Sequence, residues 1–185
     1  EGYTRSDLEA WQLERLRDTI CTLRRFSPFY RRMFADCLSE PAALENLAEY
    51  PFTTPDDLSR DPHAFVCVPQ DEVSRIVTLP TSGTSGPSKR VFFSESDQEL
   101  TVDFFKVGMS TLARSGDRVL ILLPGLRPGS VGDLLRIGLE RLGCLPVLYG
   151  PVDDEEKVFK IIKEHNCNVL VGAPVHLHRL ARWDE

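Results

Sequence analysis

The residues best suited to chemistry lie in one short run, Thr81-Ser82-Gly83-Thr84-Ser85-Gly86-Pro87-Ser88-Lys89. Gly83 and Gly86 let a backbone turn tightly and approach a ligand. The hydroxyls of Thr81, Ser82, Thr84 and Ser85, with the backbone N–H groups around them, can converge on one spot, and concave clusters of such donors bind phosphate oxygens. Lys89 closes the run with a point charge for the same anion. The competing reading is a flexible linker, since Gly/Ser-rich stretches commonly serve as one. The shortness of the run, its strand-like flanks and the Lys-Arg-Val-Phe-Phe exit weigh toward a phosphate cradle.

Two well-known nucleotide loops do not fit. The pattern GxxxxGK[ST] fails because Ser88 precedes Lys89 and Arg90 follows it, and because that loop opens a helix rather than a strand. The glycines after residue 123 (Gly125, Gly129, Gly132) miss the GxGxxG spacing of dinucleotide folds. Metal chemistry is no better served. The five cysteines (Cys21, Cys37, Cys67, Cys144, Cys167) are odd in number and widely spaced, which fits neither a disulfide framework nor a CxxC clip and reads as buried, reduced thiols. Among the histidines only His176 and His178 are close, and an HxH pair alone is a weak metal signal.

The elements that must position the run can be read from periodicity. The first 70 residues read as short helices: one capped by Ser6 and Glu9 with Leu8, Trp11, Leu16, Ile20 and Leu23 at helical spacing, one started by Ser27-Pro28, a third over 41–50, and a fourth started by Thr54-Pro55. Phe29, Tyr30, Met33 and Phe34 read as packing residues. Arg15, Arg17, Arg24, Arg25, Arg31 and Arg32 read as a solvated face. Residues 75–79 and 89–93 are strand-like and bracket the phosphate run. Ser96 and Glu99 then predict a capped helix whose apolar stripe is Leu100, Phe104, Val107 and Leu112. From Gly116 the chain alternates: strand 118–123, helix 130–142, strand 144–148, helix 154–165, strand 169–171, helix 174–182. Such alternation predicts a parallel sheet of right-handed βαβ units. The expected organisation is a helical region over 1–72, phosphate-loop strands and a helix over 73–115, and a parallel β/α subdomain over 116–185.

Composition bounds the function. A hydrophobic fraction of 42% and a charged fraction of 27% in 185 residues exclude intrinsic disorder and allow a real core without staples. The net charge of −6 argues against a nucleic-acid partner. No apolar run approaches the length of a membrane span and no signal peptide is visible, which predicts a cytoplasmic protein. Because the first residue is Glu1, the expectation is that the natural start lies upstream.

The stretch TSGTSGPSKRV at 81–91 resembles the phosphate loop of adenylate-forming enzymes, the acyl-CoA synthetase superfamily, and meets the pattern [ST]-[ST]-G-[ST]-[ST]-G-x-x-K-x-V throughout. Its context resembles the phenylacetate–CoA ligase branch. Ser27-Pro28-Phe29-Tyr30-Arg31-Arg32-Met33-Phe34 is similar to that branch's "PFYR" segment, and Pro51-Phe52-Thr53-Thr54-Pro55-Asp56-Asp57-Leu58 to its "PFTTKEDL" element. Asp71-Glu72-Val73-Ser74-Arg75-Ile76, Gly116-Asp117-Arg118-Val119, Glu140-Arg141-Leu142-Gly143 and Ala173-Pro174 recur in the same order, so the resemblance covers nearly the whole chain.

The resemblance implies an α/β fold: a helical N-terminal region, a phosphate-loop β-hairpin and a parallel βαβαβα unit, forming an incomplete N-terminal domain of an adenylate-forming enzyme. It implies an ATP-dependent ligase that joins a carboxylic acid to AMP, releases pyrophosphate and passes the acyl group to coenzyme A, with Mg²⁺ sharing the neutralisation of charge. Thr81, Ser82, Gly83, Thr84, Ser85, Gly86 and Lys89 would hold the ATP phosphates. The first turn after the 118–123 strand, with Gly125, Leu126 and Arg127, and the position His176 would border the acyl pocket. For Arg127 the better reading is an exposed loop residue. His176 stands where relatives often carry an aromatic residue and reads equally as pocket lining or helix surface. The family's turn is rich in Tyr, Phe and Gly, whereas residues 124–131 hold no aromatic residue, which argues against phenylacetate itself. The family's adenine-, ribose- and Mg²⁺-binding motifs and its C-terminal domain with a catalytic lysine are absent from residues 1–185, so no catalytic residue is assigned. The chain is then expected to be inactive alone and to need the remaining C-terminal portion as a partner. A stand-alone or split-subunit nucleotide- or acyl-binding module is the alternative, and a homodimer stands open for its assembly.

Overall fold

The computed structural model describes residues 2–38, 40–79 and 89–183. They form two compact units, residues 1–94 and 95–185.

The first unit is built of short elements. Helix α1 (Arg5–Phe26) begins with a reciprocal cap in which Asp7 N–H donates to Thr4 Oγ1 and Thr4 N–H to the Asp7 carboxylate. The cap therefore sits two residues earlier than the expected Ser6–Glu9 pair; Ser6 lies inside the helix and Glu9 pairs with Arg5. Ser27 caps α2 (Pro28–Met33) as expected, accepting from Tyr30 N–H, and its hydroxyl also donates to Ala64 O at 2.7 Å. The stretch expected as a third helix is a 3₁₀ turn over Leu44–Glu49, organised by Asn46, whose Oδ1 accepts from Ala42 and Ala43 N–H. Thr54 and Asp57 form the cap of α3 (Pro55–Arg60).

The core of this unit is small: Ile20, Phe34 and Tyr50, with Leu16, Leu23, Tyr30, Met33 and Cys37 against them. Tyr30 meets Phe34 and Phe65, and Phe29 stacks on Phe65 at 4.1 Å, so the aromatic cluster is packing, as expected. The arginine face is only half solvated. Arg17 donates to Pro41 O and Arg24 to Cys37 and Leu38 O, which ties α1 to irregular backbone, and Arg31 donates to Arg24 O, which ties α2 to the last turn of α1. An antiparallel ribbon completes the unit, β1 (Val73–Leu79) with β2 (Lys89–Ser94).

The second unit opens with α4 (Glu95–Met109), which starts directly after β2, so Ser96 lies inside its first turn. Its buried face is Val102, Phe105 and Met109, not the expected stripe: Leu100, Phe104, Val107 and Leu112 are 69–74% exposed. Apolar residues occupy both faces of the helix, and docking on α5 (Val131–Arg141) decides between them; Glu99 pairs with Arg141 of α5 on that side.

Three parallel strands follow in the order β4-β3-β5: β3 (Arg118–Leu122) in the centre, β4 (Leu145–Leu148) and β5 (Val169–Gly172) on its edges. The helices are α5, α6 (Glu155–His165) and α7 (Pro174–Trp183). Val119, Leu120, Ile121 and Leu122 are at most 1% exposed, because β3 is covered on both faces. Val119 and Ile121 pack with Met109, Leu135 and Leu139; Leu120 and Leu122 pack with Val152, Val158 and Leu180. The alternation of a strand thus creates two cores, and the crossovers to β4 and β5 place α5 on one face and α6 on the other. Every strand and helix expected from residue 116 onward is present, with ends shifted by no more than about two residues. Of the cysteines only Cys144 is buried and Cys21 is exposed; none is bonded to another. No helix among the described residues is long and apolar enough to cross a membrane.

Candidate functional site

Two parts of the chain carry the expected site residues. The first is the ribbon. β1 and β2 are in register from Arg75↔Phe93 to Leu79↔Lys89, so the ends of the phosphate-loop segment leave the ladder side by side. Thr81, Ser82, Gly83, Thr84, Ser85 and Gly86 lie outside the described residues. Lys89, the last member of the set, is the first residue of β2 and is half-buried.

The second part is the carboxyl edge of the parallel sheet. In the order β4-β3-β5 the chain leaves β3 toward one side and returns to the other, so a topological switch point falls between β3 and β5. Open α/β sheets bind ligands in the crevice outside the carboxyl ends of strands at such a point. Leu122 and Gly172 are the last register partners there. The β3–α5 loop, residues 123–130, forms one border and the start of α7 the other. Gly125, Leu126 and Arg127 lie on the first border and His176 on the second.

Gly125 is buried, and a Cβ there would lie 2.3 Å from Leu148 Cδ1, so the loop lies directly on the β4 side chain. A Cβ at Gly132 would lie 2.8 Å from Leu123 O and 2.9 Å from Pro124 O, and Gly132 N–H donates to Pro124 O at 2.8 Å. Only glycine lets α5 start so close to the backbone it grows from. Leu126 is 87% exposed and Arg127 is exposed as expected; Ser130 N–H and Oγ both donate to Arg127 O. Gly129 N–H donates to Asp133 Oδ2 at 2.8 Å, and Arg136 donates to Asp133 Oδ1 through Nε (3.2 Å) and Nη2 (2.8 Å).

His176 is half-buried and accepts Val152 N–H on Nδ1 at 3.0 Å. The ring proton therefore sits on Nε2, which remains a donor. Val152 belongs to the β4–α6 loop, where Tyr149 donates to Asp153; this hydrogen bond pushes the phenol up to about 12 and holds the Asp153 carboxyl below its ordinary value. At the opposite, amino edge Asp117 accepts from Arg114 N–H and Asn168 Nδ2, which lowers its pKa and ties β3 to β5 away from the site. No group of His, Cys, Asp and Glu among the described residues could hold a metal ion.

Sequence reasoning passed over Asp133, Tyr149 and Asp153. The signal at Asp133 was present: a glycine four residues before an acid at a helix start lets the side chain cap the loop behind it. A pocket of about 960 Å³ beside Tyr3, Leu8 and Trp11 at the start of α1 contains none of the expected site residues.

The α/β architecture matches part of a solved CoA ligase. It superposes over its whole length on 2-hydroxyisobutyryl-CoA ligase solved with 2-HIB-AMP and CoA, with a TM-score of 0.81, 23% identity and coverage of 41% of that chain. An open conformation of the same ligase gives 0.78 at 21% identity and covers 45% of that chain. In sequence the chain is similar to phenylacetate–CoA ligases: 32% identity with the Pseudomonas putida enzyme over 94% of this chain and 40% of the relative, and 32% with the Thermus thermophilus enzyme over 98% and 41%. The chain thus spans about two-fifths of the length of the curated relatives it matches. No protein-family model matches it.

Proposed function

We propose that this chain supplies the phosphate loop and part of the acyl-binding sheet of an ATP-dependent, AMP-forming carboxylate–CoA ligase. In that reading a substrate carboxylate oxygen attacks the α-phosphorus of ATP, the bond to the β-phosphate breaks and pyrophosphate leaves. The CoA thiol then displaces AMP from the acyl carbon. The substrate supplies the nucleophile, so the protein's work is positioning and neutralisation of charge. Mg²⁺, arriving with ATP, would share the phosphate charge.

The observation that carries this reading is the phosphate-type run Thr81–Lys89 joined to a ribbon whose register pairs Leu79 with Lys89. That pairing sets Leu79, just before the run, and Lys89, its last residue, opposite each other at one end of the ribbon. Residues 1–72, 73–115 and 116–185 would act as helical cover, phosphate hairpin and acyl-side sheet. Gly125, Leu126, Arg127 and His176 would border the acid at the switch point. The exposed stripe of α4 supports a chain that works against further protein surface, the remainder of the enzyme.

The test is Lys89→Ala in the enzyme that contains this chain. Acyl-adenylate formation, read as pyrophosphate exchange, should fall about 10²-fold, with circular dichroism and melting temperature retained. Unchanged exchange refutes the phosphate role. Residues 1–185 alone, given ATP, Mg²⁺ and a panel of carboxylic acids, should release no pyrophosphate; release would overturn the dependence on the remainder.

A further inference from the structure

The β3–α5 loop is held by a side chain that no part of the proposed chemistry uses. Asp133 sits in the first turn of α5 with its side chain only 16% exposed. One carboxylate oxygen takes the Gly129 amide at 2.8 Å, and the other takes two donors of Arg136. Arg136 is braced in turn by Glu140 one helical turn further on, at 2.7 Å. The chain of contacts runs from loop backbone to carboxylate to guanidinium to carboxylate, along one face of α5. The other end of the loop is fixed by the tight seat of Gly125 on Leu148 and by the Gly132 N–H to Pro124 O bond.

We propose that Asp133, braced by Arg136, is the positioning residue of the acid-binding border: it fixes the path of residues 125–129 and thereby the fit of the carboxylic acid, without touching it. The proposal rests on the ligase reading above and deepens it. Its geometry explains why an exposed tip carrying Leu126 and Arg127 holds a defined shape at the switch point. Backbone at a binding border must be placed to a fraction of an ångström, and a displacement of about 1 Å can cost about 10²-fold in rate.

The test has two arms on different instruments. In the 185-residue chain, Asp133→Ala should speed hydrogen exchange at the Gly129 amide by about tenfold, the effect of losing one charge-assisted hydrogen bond, while amides of β3 keep their protection. In the enzyme containing the chain, the same variant should raise KM for the acid about tenfold and leave KM for ATP within about twofold. Asp133→Asn retains an acceptor for Gly129 and should restore most of both, which guards against a variant that simply folds poorly. Wild-type exchange at Gly129 in Asp133→Ala overturns the clamp. Equal rises in KM for acid and ATP, or an unchanged KM for both, overturn the positioning role. An enzyme that forms no acyl-adenylate with the wild-type chain overturns the ligase reading and the acid-fitting half with it, and leaves the exchange arm to judge the clamp.

Discussion

The two units of this chain reach order by different physics. Residues 95–185 bury a central strand so completely that four consecutive residues of β3 lose essentially all contact with water, and the helices follow from that one decision. Among the described residues, 1–94 have only Ile20, Phe34, Pro41, Tyr50 and Ala64 as buried apolar residues and are stitched together by polar side chains reaching distant backbone. Ser27 spans to Ala64, Arg24 to Cys37 and Leu38, Arg17 to Pro41, and Tyr50 to Leu38. A unit stabilised by burial announces itself in hydrophobic period; a unit stabilised by individual hydrogen bonds does not.

The comparison breaks first, and most strongly, at β3. Leu120→Ala deletes a fully buried side chain between two helices and should cost about 3 kcal/mol. The readout is a urea titration followed through Trp183, which stacks on Phe159 of the same core, in a Trp11→Phe background. A loss below about 1 kcal/mol would mean that the sheet can collapse around the gap and is not the rigid base drawn here.

The same contrast decides what was legible in the sequence. The βαβ pattern from Gly116 onward was readable to within a residue or two, because alternating burial on both faces of β3 leaves a continuous apolar run between polar helices. α4 was readable as a helix but not in its orientation: Leu100, Phe104, Val107 and Leu112 make as good a stripe as Val102, Phe105 and Met109, and only the docking of α5 selects the second. The start of α1 was read at Ser6–Glu9, two residues late; Thr4 is the cap, with Asp7 as its partner. The arginine ties escaped altogether, since a guanidinium bonded to a carbonyl 13 or 24 residues away leaves no local period. At the site, the border residues Gly125, Leu126, Arg127 and His176 came from resemblance, whereas Asp133 needed the loop's actual path.

The second prediction strikes the stitched unit. Ser27 is fully buried, and its hydroxyl both accepts from Tyr30 N–H and donates to Ala64 O. Ser27→Ala removes a helix cap and leaves a buried carbonyl without its donor, a loss of about 2 kcal/mol. Exchange at the Tyr30 amide and the urea midpoint should move together. A change confined to a few tenths of a kcal/mol would show that the aromatic cluster, not the hydrogen bonds, carries this unit.

The smallest effect is read through pH, on the caps of one unit and a loop of the other. In residues 1–94, Asp7 and Asp57 have lowered pKa values because Thr4 and Thr54 donate to their carboxylates. A depressed folded pKa gives stability that is present above the unfolded value of about 4 and is lost as pH falls through the folded one. In residues 95–185 the carboxyls of Glu99, Asp117, Asp153 and Asp154 are lowered too, and Tyr149 has the opposite sign. Tyr149, raised to about 12 chiefly by its hydrogen bond to Asp153, gives stability that is complete below the unfolded value of about 10 and is lost as pH rises through the folded one. Acid should therefore loosen the caps of α1 and α3, and Thr54→Ala should flatten the part of the acid limb that Asp57 contributes. Alkali should act on the β4–α6 loop, and Tyr149→Phe should delete the last phenol to ionise in an ultraviolet titration. If the last phenol survives in Tyr149→Phe, the Tyr149–Asp153 bond does not hold the loop in solution. The loop that seats Val152 against His176 is then held by that contact and by the Tyr149 and Gly150 amides on Ile121 O.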